Sequence, residues 1–304
     1  MPELPEVETV LRGLKVRALG RRVTSVEVRH AGAIAGSPEH FAVSLEGRRI
    51  TAMERKGKAL GVELRGDDAR PPSYLLIRLG MTGQFTVNAC AAPLEAHTHV
   101  RLALDHGKEE IRFCDPRRFG RLRSCTREEL DAIFRRLGPD AQRITKGEFF
   151  AALRGRKGAI KSWLMNQQVL AGLGNIYADE ALFMARIHPM AQPGRISAER
   201  ARRLHRAIQR VLDHAVSLQG TTFRDYVDIE GRPGNYTPRL RVYQRTGEPC
   251  RRCKTKIRRL VIAGRSSHFC PRCQPRTRAV RGQPRPRHAA PLRGPQRVVQ
   301  SRQA

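Results

Sequence analysis

Six residues at the start of the chain, Met1-Pro2-Glu3-Leu4-Pro5-Glu6, bring together groups able to do chemistry. Proline in second place permits removal of the initiator methionine. Removal would leave Pro2 with a free secondary amine. An α-amino group titrates near pH ~7.7–8.0, so a useful fraction is unprotonated at neutral pH. An amine beside a carboxylate can act as nucleophile and proton carrier on a carbonyl or a sugar. The same residues also describe a plain helix start, because proline is favoured in the first turn and acids there suit the helix dipole. An apolar pattern at Val7, Val10, Leu11 and Leu14 follows directly. On the hexapeptide alone both readings stay open.

The second constellation is Cys250-Arg251-Arg252-Cys253 and Cys270-Pro271-Arg272-Cys273, two Cys-x-x-Cys pairs separated by 16 residues. Each pair can bite one tetrahedral ion, and the interval suits a β-hairpin. Four thiolates point to one structural Zn²⁺ in a closed site with no open position for catalysis. The metal would hold in shape a hairpin that carries Lys254, Lys256, Arg258, Arg259, Arg265 and His268, with Arg265 at its tip. Such a cation-studded hairpin suits contact with nucleic acid. The remaining cysteines, Cys90, Cys114 and Cys125, are scattered through strand-like segments and read as reduced core or near-core thiols.

Charge supports the same partner. Lys+Arg is 58 against Asp+Glu 28 in 304 residues, a net charge of +30, and that balance most often accompanies a polyanion. A generally Arg-rich proteome would explain part of the excess but not its clustering at Arg117-Arg118, Arg251-Arg252, Arg258-Arg259 and through the C-terminal segment. No stretch approaches 18 uncharged apolar residues, so no membrane span is expected. The N-terminus lacks the basic region and apolar core of a signal peptide. A cytoplasmic, nucleoid-associated protein is expected.

The elements that must position these groups follow from periodicity. Residues 3–19 read as an amphipathic helix ending at Gly20. From residue 23 to about 125 short β-rich runs alternate with turn signals, at 23–28, 41–45, 50–54, 60–64, 74–79, 84–87, 99–104, 110–114 and 120–124. Closely spaced short strands predict a β-sandwich or barrel-like domain. Residues 66–73 read as an exposed hairpin loop. The period then turns helical: Thr126 can cap one helix, 146–154 form another, 160–168 and 177–185 follow, and Ser197 can cap a long helix to about residue 219. The predicted fold class is α+β with two domains. An N-terminal β-sandwich with a leading helix covers 1–130 and a mostly helical domain covers 131–237. A zinc finger follows at 238–274, then a disordered basic tail at 275–304.

Taken in order, the motifs resemble formamidopyrimidine-DNA glycosylases. The resemblance rests on Met1-Pro2-Glu3-Leu4-Pro5-Glu6-Val7-Glu8-Thr9, Leu79-Gly80-Met81-Thr82-Gly83, Asp115-Pro116-Arg117-Arg118-Phe119-Gly120, Gly174-Asn175-Ile176-Tyr177-Ala178-Asp179-Glu180, and Val242-Tyr243-Gln244-Arg245-Thr246-Gly247-Glu248-Pro249-Cys250. It spans residue 1 to about 275. It implies a monomeric DNA clamp whose helical domain is of the helix–two-turn–helix type, acting on double-stranded DNA that contains oxidised purines or abasic sites. It implies that Pro2 attacks C1′ of the damaged nucleotide, that Glu3 moves protons at the sugar, that Glu6 orients base or water, and that Lys58 stands beside the amine. A second cation there would help keep the Pro2 amine unprotonated. Met81, Arg117 and Phe119 match residues that fill the void left by an extruded base. His97, Arg156, Lys161, Asn175, Tyr177 and Arg265 match phosphate contacts, and Arg265 would also aid the later elimination. The segment 228–237 matches the loop that closes over the extruded base. The basic residues around Arg156 depart most from the pattern. Two alternatives remain: an endonuclease VIII-type glycosylase for oxidised pyrimidines, and a non-enzymatic zinc-ribbon DNA-binding protein.

Overall fold

The computed structural model describes residues 2–67 and 71–276. The expected basic tail beyond residue 276 and the tip of the expected 66–73 loop lie outside the described residues. The chain begins with α1 (Leu4–Ala18), and Gly20 beyond its end takes a φ of 82°. There follow β1 (Val23–Val28), α2 (Pro38–Leu45), β2 (Arg49–Lys56), β3 (Ala59–Arg65), β4 (Ser73–Arg78), β5 (Gln84–Ala89), β6 (Thr98–Leu104), β7 (Glu109–Cys114) and β8 (Arg121–Cys125). The strands form two four-stranded antiparallel sheets, ordered β1-β6-β7-β5 and β2-β3-β4-β8. Val23, Leu60, Val62, Ile77, Leu102 and Phe113 fill one core with Val7, Val10, Leu11 and Leu14 of α1. This is the expected β-sandwich with its leading helix.

One expected strand is a helix. Residues 41–45 belong to α2, where the Ser37 hydroxyl accepts from the His40 N–H at 3.1 Å and Pro38 occupies the first turn. Phe41 and Leu45 are buried one turn apart, a helical spacing. The Ser37-Pro38 start signal outweighs the β-favouring Phe and Val in this short run.

The second half is helical: α3 (Arg127–Arg135), α4 (Lys146–Leu153), α5 (Ile160–Met165), α6 (Asn175–Met184) and α7 (Ala198–Ser217). Thr126, Thr145 and Ser197 cap α3, α4 and α7. Helix α5 stops at Met165, short of the expected 168. Leu4 of α1 enters this half's core beside Leu173, Ile176, Leu182, Leu204 and Leu212, so α1 packs into both cores. No helix among the described residues is long and apolar enough to cross a membrane.

The C-terminal unit is a hairpin of β9 (Arg258–Ile262) and β10 (Arg265–Phe269), with Ile262 paired to Arg265 across the turn Ala263-Gly264. It is moored to α6 by Asp179. That carboxylate accepts from Lys161 Nζ at 2.7 Å, the Ser267 hydroxyl at 3.1 Å and the His268 N–H at 2.8 Å. Its neighbour Glu180 accepts from the N–H groups of Arg241, Val242 and Tyr243 at 2.9–3.0 Å. Removing one partner of a buried ion pair strands the other charge and costs about 3–5 kcal/mol. Asp179→Ala should therefore accelerate amide hydrogen exchange across residues 258–269 while the zinc content stays at one per chain. Unchanged exchange would show that the hairpin does not depend on this mooring.

Candidate active site

Glu3 is completely buried, yet its side chain is not idle core. The carboxylate accepts from the backbone N–H groups of Gly174 at 2.7 Å, Ile176 at 2.9 Å and Tyr177 at 3.4 Å. These are N–H groups at the start of α6, which have no partner inside their own helix and favour a negative group. Backbone and side chain of the hexapeptide are knitted together, because the Glu3 N–H donates to Glu6 at 2.8 Å. Glu6, also completely buried, accepts from the Tyr177 hydroxyl at 2.5 Å and the Thr221 N–H at 2.7 Å. The plain helix-start reading and the chemical reading are thus both realised: Glu3 caps α1 while its carboxylate reaches across to α6.

Lys58 stands in the two-residue turn between Lys56 of β2 and Ala59 of β3. That turn is clamped from the helical half. Asp140 accepts from the Gly57 N–H at 3.0 Å and from Arg55 at 2.6 Å, and Arg55 also donates to Glu8 on α1 at 2.8 Å. Lys58 Nζ and the Glu3 carboxylate meet at Gly174. A methyl group on Gly174 would lie 2.4 Å from Glu3 Cδ and 2.7 Å from Lys58 Nζ, so only glycine leaves room for both. Burial lowers the Lys58 pKa; the nearby Glu3 and Glu6 charges oppose that shift and Arg265 reinforces it.

Pro2, Lys58, Lys161, Gly174 and Arg265 line one cavity of about 580 Å³, with Leu79, Leu137, Met165 and Ile262 as its apolar wall. The leading helix, a sheet turn, the helical half and the hairpin tip therefore converge there. Lys161 is almost fully buried; two of its three donors are used by Asp179 and by the Ser266 carbonyl at 2.6 Å. A second concavity holds Glu3, Met81, Asn175, Tyr226 and Tyr243. Asn175 Oδ1 is buried there with no hydrogen-bond partner among the described residues.

Met81, Arg117 and Phe119 stand on two turns set back to back. Gly80, at a φ of 66°, touches Phe119 and Gly120 so closely that a methyl group would lie 2.6 Å from their backbone atoms. Buried Asp115 ties the pair. It accepts from the Thr82 hydroxyl at 2.5 Å and the Gly120 N–H at 2.6 Å, and its carbonyl pairs with His99 at 2.8 Å. Phe119 is 55% exposed with the Arg117 guanidinium 5.1 Å from its ring centre.

Four expectations are corrected or separated by the geometry. The Tyr177 side chain is fully buried and its hydroxyl engages Glu6 and Thr221, so it is not available to a phosphate. The segment 228–237 packs away from the cavity: Ile229 lies against Gly13 of α1 and its carbonyl accepts from Val87. The chain that borders Glu3 and Met81 is instead Thr221 to Tyr226. His97 lies in a separate hollow with His30, His99 and Arg118, and Arg156 is exposed between α4 and α5, outside the cavity lining. Asp115, Asp140, Asp179 and Glu180 were missed. Asp115 was signalled by an Asp-Pro turn, and Asp179 and Glu180 as two adjacent acids on the apolar helix Ile176-Tyr177-Ala178-Asp179-Glu180-Ala181-Leu182-Phe183; Asp140 had no such signal.

The four cysteines at the hairpin base fit zinc. Their sulfurs all lie within 4.8 Å of one another, with Cys253 to Cys270 at 3.4 Å, Cys253 to Cys273 at 3.5 Å and Cys250 to Cys273 at 3.9 Å. Thiolates about 2.3 Å from a tetrahedral ion stand about 3.8 Å apart, whereas a disulfide needs about 2.05 Å. The N–H groups of Arg252 and Cys273 each point at a ligand sulfur at 3.4 Å. Cys90, Cys114 and Cys125 are free thiols, the last two buried.

Two outcomes follow from this geometry. Cys253→Ser should lose the zinc and with it DNA binding, because the metal closes the base of the hairpin, which the Asp179 mooring does not reach; binding unchanged after metal loss would contradict this. Burial, with the Glu3 charge, raises the Glu6 pKa above its ordinary value. The protonated form is therefore favoured by folding, and its stabilisation is complete below the unfolded pKa and lost as pH rises through the folded one. Denaturant titrations should show a decline in stability over that window that disappears in Glu6→Gln; an identical slope in the variant would refute the assignment.

The chain matches three known domains in sequence order. Residues 1–122 match the formamidopyrimidine-DNA glycosylase N-terminal domain, 137–227 its H2TH domain, and 247–276 the zinc finger found in FPG and IleRS. The formamidopyrimidine-DNA glycosylase of Solibacter usitatus is 46% identical over 91% of this chain and all of the relative, and that of Herpetosiphon aurantiacus is 43% identical over 90% and 100%. Lactococcus lactis Fpg in complex with abasic-site DNA superposes with a TM-score of 0.83 at 33% identity, covering 90% of this chain and 100% of that one. MutM (FPG) from Thermus thermophilus gives 0.78 at 40% identity, covering 90% and 98%. A catalytic-type hexapeptide seated on α6, a zinc hairpin reaching the same cavity and these full-length likenesses agree: the chain belongs to the formamidopyrimidine-DNA glycosylase family.

Proposed function

We propose that this chain is a bifunctional DNA glycosylase and AP lyase of base-excision repair. Its substrates would be 8-oxoguanine and formamidopyrimidine lesions, and abasic sites, in double-stranded DNA. The observation that carries the reading is the meeting of Pro2, Lys58 and Arg265 on one cavity, with the Glu3 carboxylate packed beside Lys58 on Gly174. Solved relatives hold Fapy-dG, abasic and 8-oxo-G DNA. The exposed Phe119 and Arg117 beside half-buried Met81 suit a base-extruding enzyme and leave a purely architectural zinc protein without a use for Pro2 and Glu3.

The Pro2 nitrogen, freed of Met1, attacks C1′ of the damaged nucleotide. An N–C bond forms, the glycosidic bond breaks, and the base leaves with the electron pair and takes up a proton. The amine loses its own proton and the sugar ring opens to an iminium, with Glu3 carrying protons at the sugar oxygen. The iminium acidifies the 2′ position, so loss of that proton expels the 3′-phosphate and a second elimination expels the 5′-phosphate. Lys58 and Arg265 contact the flanking phosphates and bias the Pro2 amine toward its neutral form. Met81 and Phe119 enter the stack, and Arg117 bonds the orphaned cytosine. Asn175, Lys161, His97 and Arg156 hold phosphates, Lys161 through its remaining donor. Zinc, when bound, supplies only a rigid hairpin that presents Arg265. In this reading 1–130 is the catalytic domain, 131–237 and 238–274 are the DNA-binding units, and the protein works as a monomer at the nucleoid.

Excision from 8-oxoguanine:C duplexes should exceed excision from thymine-glycol duplexes; the opposite ranking would favour the pyrimidine-directed alternative. Protein that retains Met1 should bind lesion DNA and fail to cut it. Gly174→Ala should lower excision by about 100-fold through displaced catalytic groups, with the affinity for undamaged duplex unchanged. Full activity in the variant would show that the packing at Gly174 is irrelevant to catalysis.

A further inference from the structure

At the zinc end of the hairpin, away from its tip, lies a second basic feature. A hollow of about 590 Å³ is lined by Arg186, Arg200, Arg203, Arg252, Arg272 and Arg276, with Cys253 and Cys273 in its floor. Strand β10 runs from Arg265 at the catalytic cavity to the residue before Cys270, so the two features are separated by about 15 Å of extended chain. They share no lining residue.

The six arginines come from three separate parts of the fold: the end of α6, the first two turns of α7 and the zinc loops. No carboxylate lines the hollow among the described residues. Two of the six already have an internal contact. Arg203 donates to Glu199 at 3.0 Å, and Arg252 lies over the Phe183 ring at 4.8 Å. Arg203 Nε nonetheless remains buried without a hydrogen-bond partner among the described residues. Arg186, Arg252, Arg272 and Arg276 are exposed. Burial and the facing Arg203 charge disfavour the Arg200 cation. A concave group of like charges repels itself unless an anion enters, and the planar forks of arginine match phosphate oxygens. Arg276 is followed in the sequence by residues 277–304, which hold seven further arginines and no acid. The hollow thus adjoins a longer basic stretch of sequence, a pattern that suits a polymer of phosphates better than a single small anion.

We propose that the arginine hollow is a second phosphodiester-binding site, which grips DNA backbone outside the catalytic cleft and strengthens sequence-independent attachment. It does not rest on the excision chemistry, which is read separately.

The test uses the full chain and the triple variant Arg186→Gln, Arg272→Gln and Arg276→Gln. None of these residues lines the catalytic cavity. Binding to a long undamaged duplex is measured across a salt series, alongside single-turnover cutting of a short lesion duplex. Each lost phosphate contact lowers the salt slope by about 0.9. The expected result is a slope reduced by about 2–3, with short-duplex cutting and zinc content unchanged. The Arg→Lys triple variant, which keeps the charge, should retain the wild-type slope and guards against a merely misfolded Gln variant. A slope unchanged in the Gln variant, or reduced equally in the Lys variant, overturns the proposal. Tripolyphosphate separates the sources: saturable binding of it that the Gln variant abolishes, with the duplex slope unmoved, would make this a small-anion site and sink the DNA assignment.

Discussion

The structure depends on one interaction, the Glu3 carboxylate against the N-terminus of α6. A completely buried carboxylate is costly unless it is hydrogen-bonded, and the first N–H groups of a buried helix are costly for the same reason. Each removes the other's penalty. Because Glu3 belongs to the leading helix of the sandwich and α6 to the helical half, the exchange also fixes the two halves beside each other. Leu4 repeats the tie in apolar form, seated in the helical core with its N–H on the Gly172 carbonyl at 3.1 Å. The start of this chain is therefore anchored where most chain ends fray.

From α6 the same logic spreads outward. Tyr177 fixes Glu6, Asp179 fixes the hairpin, and Glu180 fixes the backbone at 241–243. One ten-residue helix thereby sets the distance between the Pro2 end of the cavity and the Arg265 end. The buried Lys161–Asp179 pair is poor evidence of stability, since charges cost much to desolvate. Its value lies in register: an apolar contact could slide, whereas a carboxylate holding four donors, the fourth being His268 Nδ1 at 3.1 Å, leaves the hairpin a single seat.

Much of this was legible in the sequence where one residue type answers one local demand. Strand alternation, Thr and Ser caps, and paired Cys-x-x-Cys spacing each report a local geometry, and each was read at close to its true position. Long-range partnerships were not legible. Tyr177 was assigned as a DNA contact by resemblance alone; only the fold shows its hydroxyl turned inward to Glu6. Lys161 matched a phosphate contact, and nothing in the sequence tied it to its partner Asp179, whose one cue is an acid in an apolar helix. Residues 41–45 misled because β-favouring side chains were weighed above the Ser37-Pro38 start. The segment 228–237, assigned by resemblance, holds Gly231 and Gly234, whereas the cavity-bordering Thr221 to Tyr226 stretch holds no glycine, so glycine content pointed away from the stretch that borders the site.

The central claim is that this anchored N-terminus presents the Pro2 amine as the nucleophile, with Lys58 as its neighbour and not its substitute. Borohydride reduction during reaction with 8-oxoguanine duplex, followed by proteolysis and mass mapping of the crosslinked peptide, tests it directly. The account predicts a reduced sugar adduct on the N-terminal peptide, at Pro2, in protein that has lost Met1. An adduct on the peptide containing Lys58, or no adduct from a preparation shown to lack Met1, would contradict it.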